Sequence, residues 1–228
     1  MSTEMPPAGH DPEAAGKLQI LATEHWSLLA TRSLTYTESL GRVNMFLAIL
    51  SGAVIALALV AQADRFGPVF IAIAILTLSV VLFTGVATIS RLMQLNRDDF
   101  RWVIGMNRLR HGYLEVHPEL ERNFTASPYD DVPGALQTFG IDVTAARGLG
   151  SAVHVFQTLP GMLSVIVAAV AGAIGALAAV AIDLPPLVVL LVGAAVFVLA
   201  VLLVGIWSRR SFGRGDPSLD PRFPSPKK

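Results

Sequence analysis

Four uncharged stretches constrain this chain more than any other feature of its sequence. They cover residues 43–63, 68–90, 161–182 and 186–207, and none of them contains Asp, Glu, Lys, Arg or His. A helix needs roughly 20 apolar residues to cross the hydrocarbon core of a bilayer, which is about 30 Å thick. Because a segment in lipid must satisfy its own backbone hydrogen bonds, each stretch is predicted to be a helix. The predicted fold class is an all-α membrane protein with four transmembrane helices.

The composition of the whole chain agrees with a protein solvated by lipid. Hydrophobic residues make up 53% of the sequence and charged residues 15%, whereas a soluble domain carries about 25% charged residues. The formal net charge is zero, so bulk electrostatics give no support to a nucleic-acid partner. The sequence has no cysteine, which excludes disulfides and thiolate chemistry. The lipid bilayer is the first partner that we expect.

Very short connections pair the four spans. Residues 64–67 join the first two, and residues 183–185 join the last two. Because short links force neighbouring helices to be antiparallel, we predict two hairpins, at residues 43–90 and 161–207.

The basic residues predict the orientation of these hairpins. Of the 17 Lys and Arg residues, Arg65 alone lies in a tight turn, and all the others precede the first span, lie between the hairpins or follow the last span. Loops rich in Lys and Arg stay in the cytoplasm. We therefore expect both termini and residues 91–160 to be cytoplasmic, in a multipass protein of the inner (plasma) membrane.

The segment before the first span is expected to be mostly helical. Residues 1–10 are predicted to be disordered, and residues 11–42 to form a cytoplasmic amphipathic helix with a break near residues 33–37. The apolar face of this helix would either pack on other cytoplasmic helices, which we favour, or lie on the membrane with Trp26 at the interface.

Residues 91–160 are predicted to form a cytoplasmic helical segment that starts as an extension of the second span. His117-Pro118 should end this extension. Its apolar stripe would be covered by the N-terminal helix, so that the first two spans share a helical stalk; the stripe consists of Trp102, Met106, Leu109 and Tyr113. Residues 208–228 are rich in Arg and Pro and are predicted to be a disordered basic tail.

The second span carries a mildly polar stripe that ends in an arginine. If several copies assembled, this stripe would line a narrow pore; otherwise the hydroxyls would bond to carbonyls of their own helix or across a packed interface, which is the commoner arrangement. The stripe consists of Thr77, Thr84, Thr88 and Arg91.

Small residues recur every four positions in the first and third spans. This spacing lets helix backbones approach closely, which would serve either an oligomer interface or packing within one four-helix bundle. The first row is Ala48, Gly52 and Ala56, and the third span carries two rows, Ala168/Gly172/Ala176 and Ala171/Gly175/Ala179.

A basic cluster after the second span is the candidate anion-binding or partner-binding site. It would bind a phosphate-bearing ligand or a lipid headgroup, or it would be an ordinary solvated helix face. The cluster consists of Arg97, Arg101, Arg108, Arg110 and His111.

Metal, cofactor and catalytic sites are not expected. His111/Glu115 and His117/Glu121 have the i, i+4 spacing of metal ligands, but Pro118 breaks the helix between the two pairs. No nucleotide-binding or hydrolase motif is present. The pair Asp130-Asp131 follows Tyr129 in a loop and is interpreted as turn chemistry.

Two resemblances accompany these patterns. The stretches NRDDFRWVIGMNRLRHGYLEVHPEL (residues 96–120) and LATEHWSLLATRSLT (residues 21–35) resemble an uncharacterised group of bacterial multipass membrane proteins. Over roughly residues 15–120, the layout of cytoplasmic helix, membrane hairpin and helical extension is similar to that of SLATT-type membrane effectors. The second resemblance implies oligomerisation and perturbation of membranes, and it assigns no functional residue.

The sequence therefore predicts a homo-oligomeric channel or pore-like effector. The alternative is a non-catalytic membrane scaffold or accessory subunit that docks a cytoplasmic protein. An enzyme ranks third, because only residues 97–121 could supply a catalytic cluster.

Overall fold

The structure is a computed structural model that describes residues 12–141, 158–212 and 220–226. Over these residues all regular secondary structure is helical, without a strand. The elements are α1 (Pro12–Asp64), α2 (Pro68–Val116), a 3₁₀ helix (Pro118–Asn123), α3 (Val132–Thr138), α4 (Leu159–Ala181) and α5 (Pro186–Phe212). By length and composition α1, α2, α4 and α5 can each cross a membrane. The predicted all-helical class with four membrane-capable helices, typical of a multipass membrane protein, is confirmed. The disordered N-terminus predicted for residues 1–10 lies outside the described residues.

Helix α1 is continuous, so the break predicted near residues 33–37 is wrong. The helix runs for 53 residues through the predicted boundary at residues 42 and 43. Its polar residues are accommodated within the helix, since Thr31 Oγ1 donates to the carbonyl of Ser27 at 2.9 Å and Ser39 Oγ to that of Thr35 at 2.9 Å. Because these hydroxyls bond to carbonyls of their own helix, they do not interrupt its backbone hydrogen bonds.

The turn between α1 and α2 is built from local interactions of Asp64. Arg65 and Phe66 have φ angles of 48° and 62°, so the chain reverses through the left-handed region. The amide of Gly67 donates to the carbonyl of Asp64 at 2.9 Å, and Asp64 Oδ2 accepts the amide of Phe70 at 2.7 Å. The Asp64 carboxylate thus caps the otherwise unpaired first turn of α2.

The chain divides into two compact units. One, here called the polar unit, includes residues 12–34, 99–141 and 220–226 of the described chain. The other, here called the apolar unit, includes residues 35–98 and 158–212.

Helix α4 is the most enclosed helix of the apolar unit. In its most apolar window 44% of the residues are buried, compared with 22% in α2, 6% in α1 and none in α5. Its Leu163 and Val167 pack into a core with Phe46 of α1 and Ile89 of α2. A Cβ at Gly85 of α2 would lie 2.5 Å from Val167, so glycine is required for this close approach. The apolar side chains on the outside of the unit are suited to lipid.

In the polar unit the N-terminal part of α1 packs against the C-terminal part of α2, as predicted for the amphipathic helix. Leu21 lies over Gly112 and Leu28 over Gly105, where added Cβ atoms would be within 3.3 and 3.1 Å of the leucine methyl groups. The two leucines are seven residues apart on α1, and the two glycines are seven residues apart on α2, which is about two helical turns in each helix. The two glycines therefore form shallow holes for the two leucines. Val103, Ile104, Met106 and Ala135 complete this core, so that α3 covers the same side of α2.

Candidate functional site

The threonine stripe of α2 is engaged within the chain. Thr84 Oγ1 donates to the carbonyl of Val80 at 2.9 Å, and Thr88 Oγ1 donates to that of Thr84 at 2.8 Å. Thr77 is partly buried and Thr88 is buried. The two hydroxyls thus adopt the arrangement in which a threonine bonds to its own helix.

Arg91, at the end of that stripe, forms a two-point ion pair in the apolar unit. Its Nε and Nη2 atoms donate to the two carboxylate oxygens of Glu38 at 3.0 and 3.1 Å. Arg42 also donates to Glu38, at 2.8 Å. Arg91 is therefore paired with α1 through Glu38, a carboxylate that it shares with Arg42.

The small-residue rows have different surroundings on α4 and on α1. On α4, Gly172 faces the carbonyl of Gly193 in α5, and an added Cβ would lie 2.9 Å from that oxygen. Gly175 faces the side chain of Val196, and an added Cβ would lie 2.8 Å from its Cγ2 atom. On α1, by contrast, Gly52 has open space around it. The α4 residues Ala168, Gly172 and Ala179 are buried, Ala171, Gly175 and Ala176 are partly buried, and the α1 residues Ala48, Gly52 and Ala56 are exposed.

The predicted basic cluster is distributed over both units, with Arg97 in the apolar unit and the other four residues in the polar unit. Arg101 is exposed there. Arg110 donates to Asn107 Oδ1 at 2.7 Å, and burial, followed by the nearby charge of Arg32, lowers the pKa of its guanidinium. The remaining members, Arg108 and His111, both contact residues near the end of the sequence.

The His and Glu pairs do not converge on a metal site. His111 Nε2 lies 4.0 Å from Glu115, and His117 Nδ1 contacts Glu119 at 2.9 Å instead of the Glu121 that its spacing suggested. Among the described residues, no three His, Cys, Asp or Glu side chains are grouped as metal ligands would be.

The best-organised polar site surrounds Asp130, whose side chain is fully buried. One oxygen, Oδ2, accepts Arg108 Nε at 2.6 Å and the amide of Arg222 at 2.9 Å, and the other, Oδ1, accepts the amide of Phe223 at 2.7 Å. The amide of Asp130 in turn donates to the carbonyl of Phe223 at 3.1 Å. The Asp130 carboxylate thus accepts one guanidinium N–H and two backbone amides, and hydrogen bonds to an ionised carboxylate are stronger than those between neutral groups.

Asp131 extends the same site by one residue. Its Oδ2 accepts the amide of Ser225 at 2.8 Å, and its Oδ1 accepts Ser225 Oγ at 2.8 Å. Oδ1 also accepts the amide of Gly134 at 2.9 Å, so Asp131 is the N-cap of α3. We call Asp130 and Asp131 together the aspartate clasp, and residues 220–226 the docked segment.

Two further contacts hold the docked segment, one to the carbonyl of Asp220 and one to the ring of Phe223. Arg108 Nη2 donates to the carbonyl of Asp220 at 2.9 Å. The ring of Phe223 stacks on the ring of His111, with centroids 3.9 Å apart. The disordered tail predicted for residues 208–228 is therefore wrong for residues 220–226, and also for the first residues after Trp207, where α5 continues to Phe212.

Buried hydrogen bonds fix the loop that carries the clasp. Asn107 is fully buried, donates to the carbonyl of Tyr129 at 2.7 Å and accepts Thr138 Oγ1 at 3.0 Å. Buried polar groups with complete hydrogen bonding hold neighbouring segments in one geometry. The clasp is thus positioned by α2 on one side and by α3 on the other.

The electrostatics of the clasp favour its ionised form. Burial on its own would raise the pKa of Asp130, but the hydrogen bonds from Arg108 and from the amides of Arg222 and Phe223 outweigh it, and the pKa lies below its ordinary value. For Asp131, burial again would raise the pKa. Hydrogen bonds from the amides of Ser225 and Gly134 and from the Ser225 hydroxyl outweigh it, so the pKa lies below its ordinary value. Both carboxylates therefore carry charge at neutral pH.

Sequence reasoning missed this site. It interpreted Asp130-Asp131 as turn chemistry, which describes the capping role of Asp131 only. The available signal was the recurrence of proline at positions 221, 224 and 226, which restricts the backbone of this part of the tail.

Comparisons with protein-family models, with curated protein sequences and with solved structures find no match for this chain.

Proposed function

We propose that this chain is a non-catalytic multipass membrane scaffold whose polar unit docks another polypeptide. In this proposal the four spans form two antiparallel hairpins in the inner membrane, and the polar unit faces the cytoplasm. The tight turn at Asp64 and the close contact of Gly172 with Gly193 support the hairpins. The distribution of Lys and Arg supports the orientation.

The observation that carries the proposal is the aspartate clasp. Arg108 and His111, two of the five residues in the predicted basic cluster, contact a segment of polypeptide. Asp130, which is paired with Arg108, accepts amides of the same segment. A surface that binds main chain in this way is suited to docking protein segments. We rank the scaffold above the channel because Thr84, Thr88 and Arg91 are all engaged within the chain.

Copurification from native membranes tests the scaffold. The tagged full chain should retain a stoichiometric protein partner, and Arg108→Glu should lose it, because the reversed charge would face the buried Asp130. Arg122→Glu is the matched control, since Arg122 is exposed on the 3₁₀ helix and the change in charge is the same. Absence of any stoichiometric partner, or equal retention by both variants, would contradict the proposal.

A homo-oligomeric channel or pore-like effector is the second candidate. The exposed row Ala48, Gly52 and Ala56 favours it, because small residues with open space around them allow a second helix to approach closely. The resemblance to SLATT-type effectors points the same way.

Sizing and conductance test this second candidate together. The purified chain should form oligomers in detergent that Gly52→Leu reduces to monomers, and planar bilayers should show conductance that Thr84→Leu or Arg91→Ala alters. A monomeric protein with silent bilayers would leave only the scaffold.

A further inference from the structure

We propose that the aspartate clasp is an exchangeable peptide-binding site, in which the docked segment occupies the place of a segment from a partner protein. The partner segment would carry an aromatic residue followed two positions later by serine, with proline between them. This inference rests on the proposed scaffold function and assigns its docking site.

Main-chain recognition makes the site tolerant of different sequences. The clasp and Arg108 contact the docked segment through the amides of Arg222, Phe223 and Ser225 and through the carbonyls of Asp220 and Phe223. Any peptide in the same backbone conformation offers these groups. Recognition by main-chain hydrogen bonds with pockets for a few side chains is a recurrent mode of peptide binding.

Two side chains supply the selectivity. Phe223 stacks on His111, and Ser225 Oγ donates to Asp131. The side chain of Arg222 is exposed, and the clasp uses only its amide. The sequence required of an occupant is therefore aromatic, proline, serine.

Proline at position 224 fits the hydrogen-bonding pattern of the clasp. The clasp accepts amides from Phe223 and Ser225, on either side of Pro224, and a proline has no amide hydrogen to leave unpaired. Proline also restricts the backbone before binding, which reduces the entropy lost when the segment is immobilised.

The docked segment is suited to exchange because it lies at the surface. Pro221, Arg222, Pro224 and Pro226 are exposed, and Phe223 and Ser225 are only partly buried. Asp130, in contrast, is fully buried when the segment is bound, and both of its oxygens accept amides of the segment. If the segment left, Asp130 would lose these two amide donors, and a new occupant that offers two amides would restore the hydrogen bonds.

Peptide binding to the full chain in detergent tests the exchange. The probe is a fluorescein-labelled peptide with the sequence of residues 216–226, and the host is Phe223→Ala/Ser225→Ala, in which the chain's own segment is weakened. Because a tethered segment competes at an effective concentration in the millimolar range, the wild-type chain should bind the peptide at least about tenfold more weakly than the double variant. Fluorescence anisotropy measures both affinities.

Variant peptides and a variant host define the recognition. In the peptide, Phe223→Ala should lower the affinity at least about tenfold, and Arg222→Ala is the matched control that should leave it unchanged. In the host, adding Asp131→Asn should abolish binding while α3 stays folded, because asparagine is also a good N-cap. No binding to the double variant, or binding that is indifferent to Phe223→Ala, would overturn the proposal.

The outcomes separate this inference from the scaffold function. A partner retained from membranes by Asp131→Asn, together with lost peptide binding, would refute the clasp as the docking site and leave the scaffold intact. Peptide binding without any membrane partner would support the clasp and refute the scaffold. If the wild-type chain forms a dimer and Phe223→Ala dissociates it, the occupant of the clasp is the segment of a second copy. That result would overturn the assignment to a partner protein.

Discussion

At the scale of single residues, the adjacent carboxylates Asp130 and Asp131 have different tasks. Asp130 is fully buried and neutralised by Arg108, whereas Asp131 caps α3 and bonds to Ser225. The difference arises because side chains of neighbouring residues in an extended segment point in opposite directions. One dipeptide can therefore join a helix terminus to a distant piece of chain.

The lowered pKa values of Asp130 and Asp131 predict a release of the docked segment in acid. A carboxyl group whose folded pKa is depressed stabilises the fold above its unfolded pKa of about 3.9, and the stabilisation is lost as the pH falls through the folded pKa. A spin label at Pro226→Cys, in a chain with no native cysteine, should be restrained from about pH 8 to about pH 5 and become mobile only as the pH falls below the unfolded pKa of about 3.9 and through the lower folded values. Unchanged mobility at pH 2.5 would contradict this account.

A second prediction at the residue scale concerns glycines in close contacts. Gly172→Ala should destabilise the apolar unit by about 1–3 kcal/mol, because the added methyl group would lie 2.9 Å from the carbonyl of Gly193. Gly52→Ala is the control, since Gly52 has open space around it. Thermal unfolding in one detergent measures both variants. Equal midpoints for the two would show that the contact at Gly172 does not constrain the helices.

At the scale of elements, the pairing of α1 with α2 in the polar unit depends on complementary shape and charge. Leu21 and Leu28 fill the holes at Gly112 and Gly105. Arg32 adds an ion pair with Asp99, in which Nε lies 2.6 Å from Oδ1, and its guanidinium lies 5.4 Å from the ring centroid of Phe139. These contacts explain which face of the N-terminal part of α1 packs on α2, whereas Ile20 and Trp26 of the same helix stay exposed.

A double-mutant cycle tests the ion pair within this pairing. Arg32→Ala should cost more stability than Asp99→Ala, because Arg32 also loses its contact with Phe139. The coupling energy between the two sites should be about 1 kcal/mol, since both side chains are partly shielded from water. Chemical denaturation of the four proteins gives the value. Additive effects of the two substitutions would mean that the pair contributes nothing to stability.

At the scale of the whole molecule, the proposed topology predicts which residues are accessible from outside the cell. Phe66→Cys lies in the exposed α1–α2 turn and should react with a membrane-impermeant maleimide on intact cells. Glu119→Cys is exposed on the 3₁₀ helix and should react only after the cells are opened. The reverse pattern would invert the topology.

The sequence alone determined the class of this protein and the number of its membrane-capable helices. Both follow from local composition, because a bilayer excludes charged side chains from any stretch of about 20 residues that crosses it. The sequence also predicted the pairing of the N-terminal helix with α2, since apolar residues on an amphipathic face must be covered. It failed at the continuity of α1, which runs without interruption through the break predicted near residues 33–37.

Only the tertiary structure decided which partners the polar residues have. Asp130 bonds to Arg222 and Phe223, more than 90 positions away, and nothing in the neighbourhood of either segment specifies that contact. It also decided that the small residues of α4 face α5 while Gly52 faces open space, although the spacing in the two helices is the same. The physical reason is that a hydrogen bond or a close helix contact depends on which groups the fold brings together, whereas the cost of placing charge in lipid is a property of each segment by itself.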